Sequence, residues 1–216
     1  MAMRVALAAC LALALAACEV PEGGELRFAP GAGAGISAGR DALTGEEEAA
    51  PIRAVEMAGG AVVVAGPRGY CIDPETVSAR GGGGFAMLAS CRILAGSGPA
   101  VAPALITVTV GARERAPVLP DPATLARLVG GPAASAETSE GFVSLQIQEG
   151  GDTVLAGGDG RYWRGAFLQG PRLVSLALYA PEGSRLAGAP GRALLAEVRR
   201  AIAAASPETG TLPGGG

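Results

Sequence analysis

Apolar positions recur along this chain with two periods, and the changes of period mark its elements. Phe142-Val143-Ser144-Leu145-Gln146-Ile147-Gln148 alternates apolar with polar, as a half-buried strand does. Ala61-Val62-Val63-Val64-Ala65 is a short β-branched run that reads as a buried strand, broken by Gly66-Pro67. Extended segments are also predicted at Gly69-Tyr70-Cys71-Ile72, Phe85 to Leu94, Pro103 to Val110 and Leu173 to Tyr179. Thr153-Val154-Leu155 and Arg161 to Leu168 flank Gly157-Gly158-Asp159-Gly160, which reads as a hairpin turn, and Gln169-Gly170-Pro171-Arg172 makes the next turn.

Helical signals are fewer. Asp73-Pro74 and Asp121-Pro122 each offer an N-cap followed by proline at the first helical position. The first predicts a short helix over 74–80, ended by Gly81 to Gly84. The second predicts a helix with Leu125, Leu128 and Val129 on one face, stopped by Gly130-Gly131. Pro132 to Glu140 is small and polar, and reads as a loop. Gly191 to Ala205 carries Leu194, Leu195, Val198, Ala201, Ile202 and Ala205 in one stripe, an amphipathic helix. Ser206-Pro207 begins a Gly- and Pro-containing tail that is expected to be disordered.

Short turns between the later strands make them antiparallel neighbours, and a striped helix can cover a sheet face. The expected class is α+β: a mainly antiparallel sheet with flanking helices in a single domain at 55–206, followed by a disordered tail at 207–216.

The N-terminus has another pattern. Arg4 precedes an uncharged apolar run from Val5 to Ala17. Thirteen helical residues rise about 20 Å, too short for a hydrocarbon core of about 30 Å, so the run reads as a signal peptide over 1–17. Its end, Leu15-Ala16-Ala17-Cys18, resembles the lipobox of bacterial lipoproteins. Leu7-Ala8-Ala9-Cys10 also matches, but leaves almost no apolar run upstream. The resemblance implies a diacylglyceryl thioether on Cys18, cleavage before it, and acylation (typically palmitate) of the new amino terminus. Two or more chains hold a protein stably on a membrane. The expected address is the bacterial envelope, facing the periplasm. Glu19, rather than aspartate, slightly favours the outer membrane.

From 18 to 54 little periodicity survives. Gly31-Ala32-Gly33-Ala34-Gly35 and the acidic Glu46-Glu47-Glu48 suit a flexible tether better than a packed unit. The glycines are a poor dinucleotide fingerprint, since no strand precedes them and no clear helix follows.

Composition then removes whole classes of chemistry. There is no histidine, and all 17 basic residues are arginine. Ser-His-Asp and Cys-His catalysis, histidine metal sites, a Walker A loop and a Schiff base are excluded. With a net charge of −3 and no basic block, nucleic-acid binding has no electrostatic footprint. Neither a cofactor nor a metal is expected. Asp73, Asp121, Asp152 and Asp159 all fall at turns or helix starts, which caps explain without catalysis. A paired carboxylate site is the competing reading. The glycines 81–84 read as a flexible loop, with an anion-binding nest as the alternative.

With Cys10 and Cys18 assigned to the leader and the anchor, Cys71 and Cys91 remain. In an oxidising compartment the pair reads as a disulfide. Two reduced buried thiols are the alternative, and a catalytic thiolate lacks a histidine to activate it.

Arg161-Tyr162-Trp163-Arg164 is the densest arginine–aromatic cluster, and these residue types are enriched at interface hot spots. Alternation puts Arg161 and Trp163 on one face, Tyr162 and Arg164 on the other. The competing reading is that a ring packs in the core under the last helix while the arginines are solvated. Arg68 and Tyr70, around Gly69, form a lesser cluster of the same kind.

The order Tyr162 to Ala180 followed by the helix at 191–205 resembles the end of the PsbP-like α/β/α sandwich. That resemblance implies an extrinsic or assembly factor that binds protein partners, and carries no functional residue over to this chain. The expectation is a non-catalytic envelope lipoprotein acting as an accessory or assembly factor. A small-ligand or cell-wall binding lipoprotein is the alternative, and a histidine-free carboxylate enzyme a more distant one.

Overall fold

The computed structural model describes residues 50–79 and 82–207. The lipobox at Cys18, the expected tether as far as residue 49, Gly81 of the glycine run and the tail from 208 lie outside the described residues.

A seven-stranded antiparallel sheet forms the centre, in the order β3-β4-β5-β9-β8-β7-β6. Its strands are β3 (Tyr70–Ser78), β4 (Gly84–Ser90), β5 (Leu105–Val110), β6 (Ala133–Ser139), β7 (Phe142–Ile147), β8 (Tyr162–Gln169) and β9 (Arg172–Tyr179). A separate hairpin, β1 (Ala54–Met57) with β2 (Val62–Ala65), precedes it. The helices are α1 (Cys91–Ala95), α2 (Pro122–Val129), α3 (Gly151–Val154) and α4 (Ala189–Ala205). The fold is α+β, as expected, with the Cys71–Cys91 disulfide in place (S–S 2.08 Å).

One sheet face packs beneath α4 and the β1–β2 hairpin. Val62, Val64, Leu88, Ile106, Leu176, Leu195, Val198 and Ile202 meet there in one buried cluster. The stripe that predicted α4 does this work, except that Ala205 is exposed. The helix approaches the sheet closely because position 191 has no side chain: a Cβ there would lie 1.9 Å from the Leu186 carbonyl oxygen and 2.8 Å from Trp163 Cδ1. The opposite face carries a second cluster under α2, with Leu125 over Val143, Leu145 and Ile147. β7 is therefore buried on both faces rather than half-buried.

The helix α2 begins as predicted. Asp121 Oδ1 accepts a hydrogen bond from Thr124 N at 3.0 Å, and Gly130 closes the helix in the left-handed conformation (φ 77°). The same Asp-Pro signal fails at 73–74, where the chain stays extended in β3. Asp73 Oδ1 does accept from Glu75 N, but Thr76 Oγ1 then donates to the Asp73 carbonyl and accepts from Met87 N of β4. This bonding to the neighbouring strand holds a bulge between Asp73 and Ser78. Because β3 is an edge strand, Pro74 interrupts no ladder on its outer side.

Four other expectations are corrected. The strand from Phe85 ends at Ser90, where the chain turns into α1 and Cys91 N donates to Gly69 O. Residues 133–139 form β6 rather than a loop. Every residue of that strand is exposed, so its signal lies in the turn: Glu140 and Gly141, both with positive φ (51° and 70°), join it to β7 as a two-residue hairpin loop. Gly157 to Gly160 is no hairpin turn, because Thr153 and Val154 belong to the helical turn α3 and Gly158 bridges to Pro181. Ser206, expected to begin the tail, is buried, and its hydroxyl accepts from Val63 N.

Candidate functional site

Within β8, alternation sets Trp163 on one face and Tyr162 and Arg164 on the other, as expected, whereas Arg161 precedes the strand. Trp163 is 4% exposed, lies under α4 and donates from Nε1 to the Gly188 carbonyl at 2.9 Å. It is a core residue, as the competing reading held. Arg161 is drawn back to Asp159 by two side-chain hydrogen bonds of 3.0 Å. That guanidinium holds the Asp159 carboxyl below the usual range.

Tyr162 and Arg164 face the other way. Tyr162 stacks on Tyr179 with ring centroids 5.1 Å apart, and the Arg164 guanidinium lies over the Tyr162 ring at 5.5 Å. Burial raises the Tyr179 hydroxyl pKa, against the pull of the Arg164 charge. Arg164 is half-buried, and its Nε is buried with no hydrogen-bond partner. Among the described residues, Arg161, Arg192 and Arg199 have carboxylates within ion-pair distance, whereas Arg164 has none. A cation–π contact contributes about 0.5–2 kcal/mol.

Beyond Arg164, toward β4 and β5, the sheet is only partly covered by the described residues. α2 covers β7 and β6, but the same face of β4, β5 and β9 carries half-buried Phe85, Met87, Thr107 and Ser175 and exposed Thr109. The register sets Met87, Thr107, Ala177 and Arg164 side by side across four strands. On the reverse face of β4 and β5, Ala86, Leu88, Ile106 and Val108 are wholly buried. Sequence reasoning missed Phe85 and Met87 as surface. The unbroken apolar run Phe85 to Ala89 in β4 suits a strand covered on both faces, and among the described residues one of those covers is incomplete.

Arg68 and Tyr70 separate in the same way as the larger cluster. Arg68 is exposed in the turn before β3, while Tyr70 is buried and donates its hydroxyl to Ala102 O at 2.6 Å. Burial, helped by the Glu197 charge, pushes the Tyr70 hydroxyl up to about 12. The folded state thus favours the neutral phenol. Its contribution to stability is fully present below the unfolded value of about 10 and is lost as pH rises through about 12. In denaturant titrations, Tyr70→Phe should lose about 1 kcal/mol at neutral pH for the missing hydrogen bond. Its deficit against the parent should shrink across that alkaline window; a deficit constant with pH would contradict the assignment.

The remaining sequence candidates have structural partners. Asp121 caps α2, Asp73 holds the β3 turn and Asp152 lies in the first turn of α3. Gly82 presents its carbonyl to the buried Arg172 guanidinium, which also bonds Gly111 O, so this part of the glycine loop is arranged around a cation rather than an anion. A groove of about 300 Å³ lies between α4 and the β6–β7 hairpin. Its Arg192 and Arg199 are already matched by Glu137 and Glu140. Among the described residues no three of His, Cys, Asp or Glu gather as metal ligands, and no helix is long and apolar enough to cross a membrane. No family model, curated protein or solved structure matches this chain.

Proposed function

We propose that this chain is a non-catalytic lipoprotein of the bacterial envelope, an accessory or assembly factor that docks on a protein partner. The observation that carries the reading is the uncovered half of the sheet, where Phe85 and Met87 remain half-exposed beside an arginine without a counter-ion. Apolar surface bounded by a few charges, here Arg164 on one side and Asp73 opposite Met87 on the other, is the make-up of a recognition surface. The lipobox resemblance at Cys18 supports anchorage to the envelope, facing the periplasm, with the outer membrane slightly favoured by Glu19. A small-ligand reading would use the groove beside α4, where Arg192 and Arg199 are matched internally and Arg200 has no ion pair among the described residues.

Fatty-acid labelling of the full chain should disappear in Cys18→Ser. Cross-linking in cells followed by purification should recover a reproducible protein partner. Thr109→Asp, which adds a charge at an exposed position of this face, should reduce that recovery about ten-fold with little change in the melting temperature. A chain that takes up no label, or that recovers no partner, would sink the proposal.

A further inference from the structure

We infer that the open half of the sheet receives an amphipathic helix of the protein partner, with a carboxylate in its apolar stripe paired to Arg164. The inference rests on the partner-binding reading above and names what that partner presents.

Dimensions argue for a helix. The strands that keep half-buried or exposed side chains on this face, β4, β5 and the Ser175 part of β9, span about 10 Å between their outer axes at about 4.8 Å per step. A helix with its side chains is about 10 Å across, so one fits beside α2 in the same layer. The opposite face is already roofed by a helix and a hairpin, and α2 supplies only part of the second roof. A face, unlike an edge, offers no free backbone groups to an added strand. What it offers is side chains: Phe85 and Met87 on β4, and Thr107 and Thr109 on β5.

Charge argues for the carboxylate. Arg164 sits between this face and the covered tyrosines, its Nε buried and without an acceptor. Among the described residues no carboxylate reaches it. An arginine fork takes a carboxylate in a two-point hydrogen bond, and a helix laid across β5 and β9 would bring one down from above.

The test uses a photoreactive residue in place of Thr109, which is exposed on this face, in the full-length chain produced in its own cells. The cross-linked partner peptide is then mapped by mass spectrometry. The expected peptide lies in an amphipathic helix with Asp or Glu in its apolar stripe. Arg164→Gln should lower the cross-link yield about ten-fold or more, and Arg164→Lys should restore part of it. Arg164→Met should lower the melting temperature only slightly, because it gives up only the contact over the Tyr162 ring. A cross-link to a strand or loop, to a second copy or to residues 1–49 of this chain would overturn the inference, as would a yield indifferent to Arg164→Gln. A partner recovered by general cross-linking but never from position 109 would overturn it while leaving the partner-binding reading standing. Recovery of no partner by either route would remove both.

Discussion

Trp163→Ala should destabilise the domain by about 3–5 kcal/mol, the range for removing a large aromatic from a core that cannot collapse around the gap. For a domain of this size that corresponds to a fall in melting temperature of about 10 °C or more. The ring is wedged between β8 and the start of α4, against Gly191, and its Nε1 satisfies the Gly188 carbonyl just ahead of the helix. Truncation would empty that space and leave the carbonyl without its donor. Trp163→Phe keeps most of the volume and should cost less. Equilibrium denaturation reads both, and an unmoved midpoint in the alanine variant would contradict the placement. Loss of a partner in Trp163→Ala would report unfolding rather than contact, so substitutions on the open face are the ones that bear on binding.

Replacing both cysteines, Cys71→Ser with Cys91→Ser, should cost about 3 kcal/mol in the chain-entropy account, since the bridge closes a loop between positions 20 apart. That loop contains the β3–β4 hairpin, whose outer strand is bulged around Pro74 and has a single strand neighbour. The loss should be local before it is global. Hydrogen exchange should quicken first in β3 and α1, and the parent protein under reductant should behave like the double variant. Equal midpoints for oxidised, reduced and substituted chains would show that the bridge contributes nothing to stability.

Elements whose signal is local were legible in the sequence. The stripe of α4, the cap of α2 and the Gly170-Pro171 turn between β8 and β9 depend on residues within a few positions of one another. Elements that depend on distant partners were not. Asp73-Pro74 starts a turn as it would start a helix, and what diverts it is a hydrogen bond from Met87, eleven positions beyond Thr76. β6 contains no large apolar residue and every one of its positions is exposed, so hydrophobic patterning could not find it. Only Glu140-Gly141 hinted that the chain turns there.

The candidate site was half legible for the same reason. Alternation correctly divided Trp163 from Tyr162 and Arg164, but composition cannot say which face is roofed, and Arg161 lies ahead of the strand. Asp159 captures Arg161 from two positions away, which a local reading could have anticipated. The isolation of Arg164 depends on which carboxylates are absent from its surroundings across the sheet, and that is a property of the folded chain.

Ser206 ties the end of the described chain to its beginning. Its hydroxyl accepts from Val63 N across 143 positions, and α4, which it terminates, packs against β2. The order of synthesis follows from this. When the β1–β2 hairpin leaves the ribosome, the helix that buries Val62 and Val64 has not been made. The central strand β9 likewise follows its neighbour β5 by some 60 residues. The core must therefore wait for nearly the whole chain, and contacts of such long range form slowly. A polypeptide built this way stays open while it is being made, and closes only when its last helix arrives.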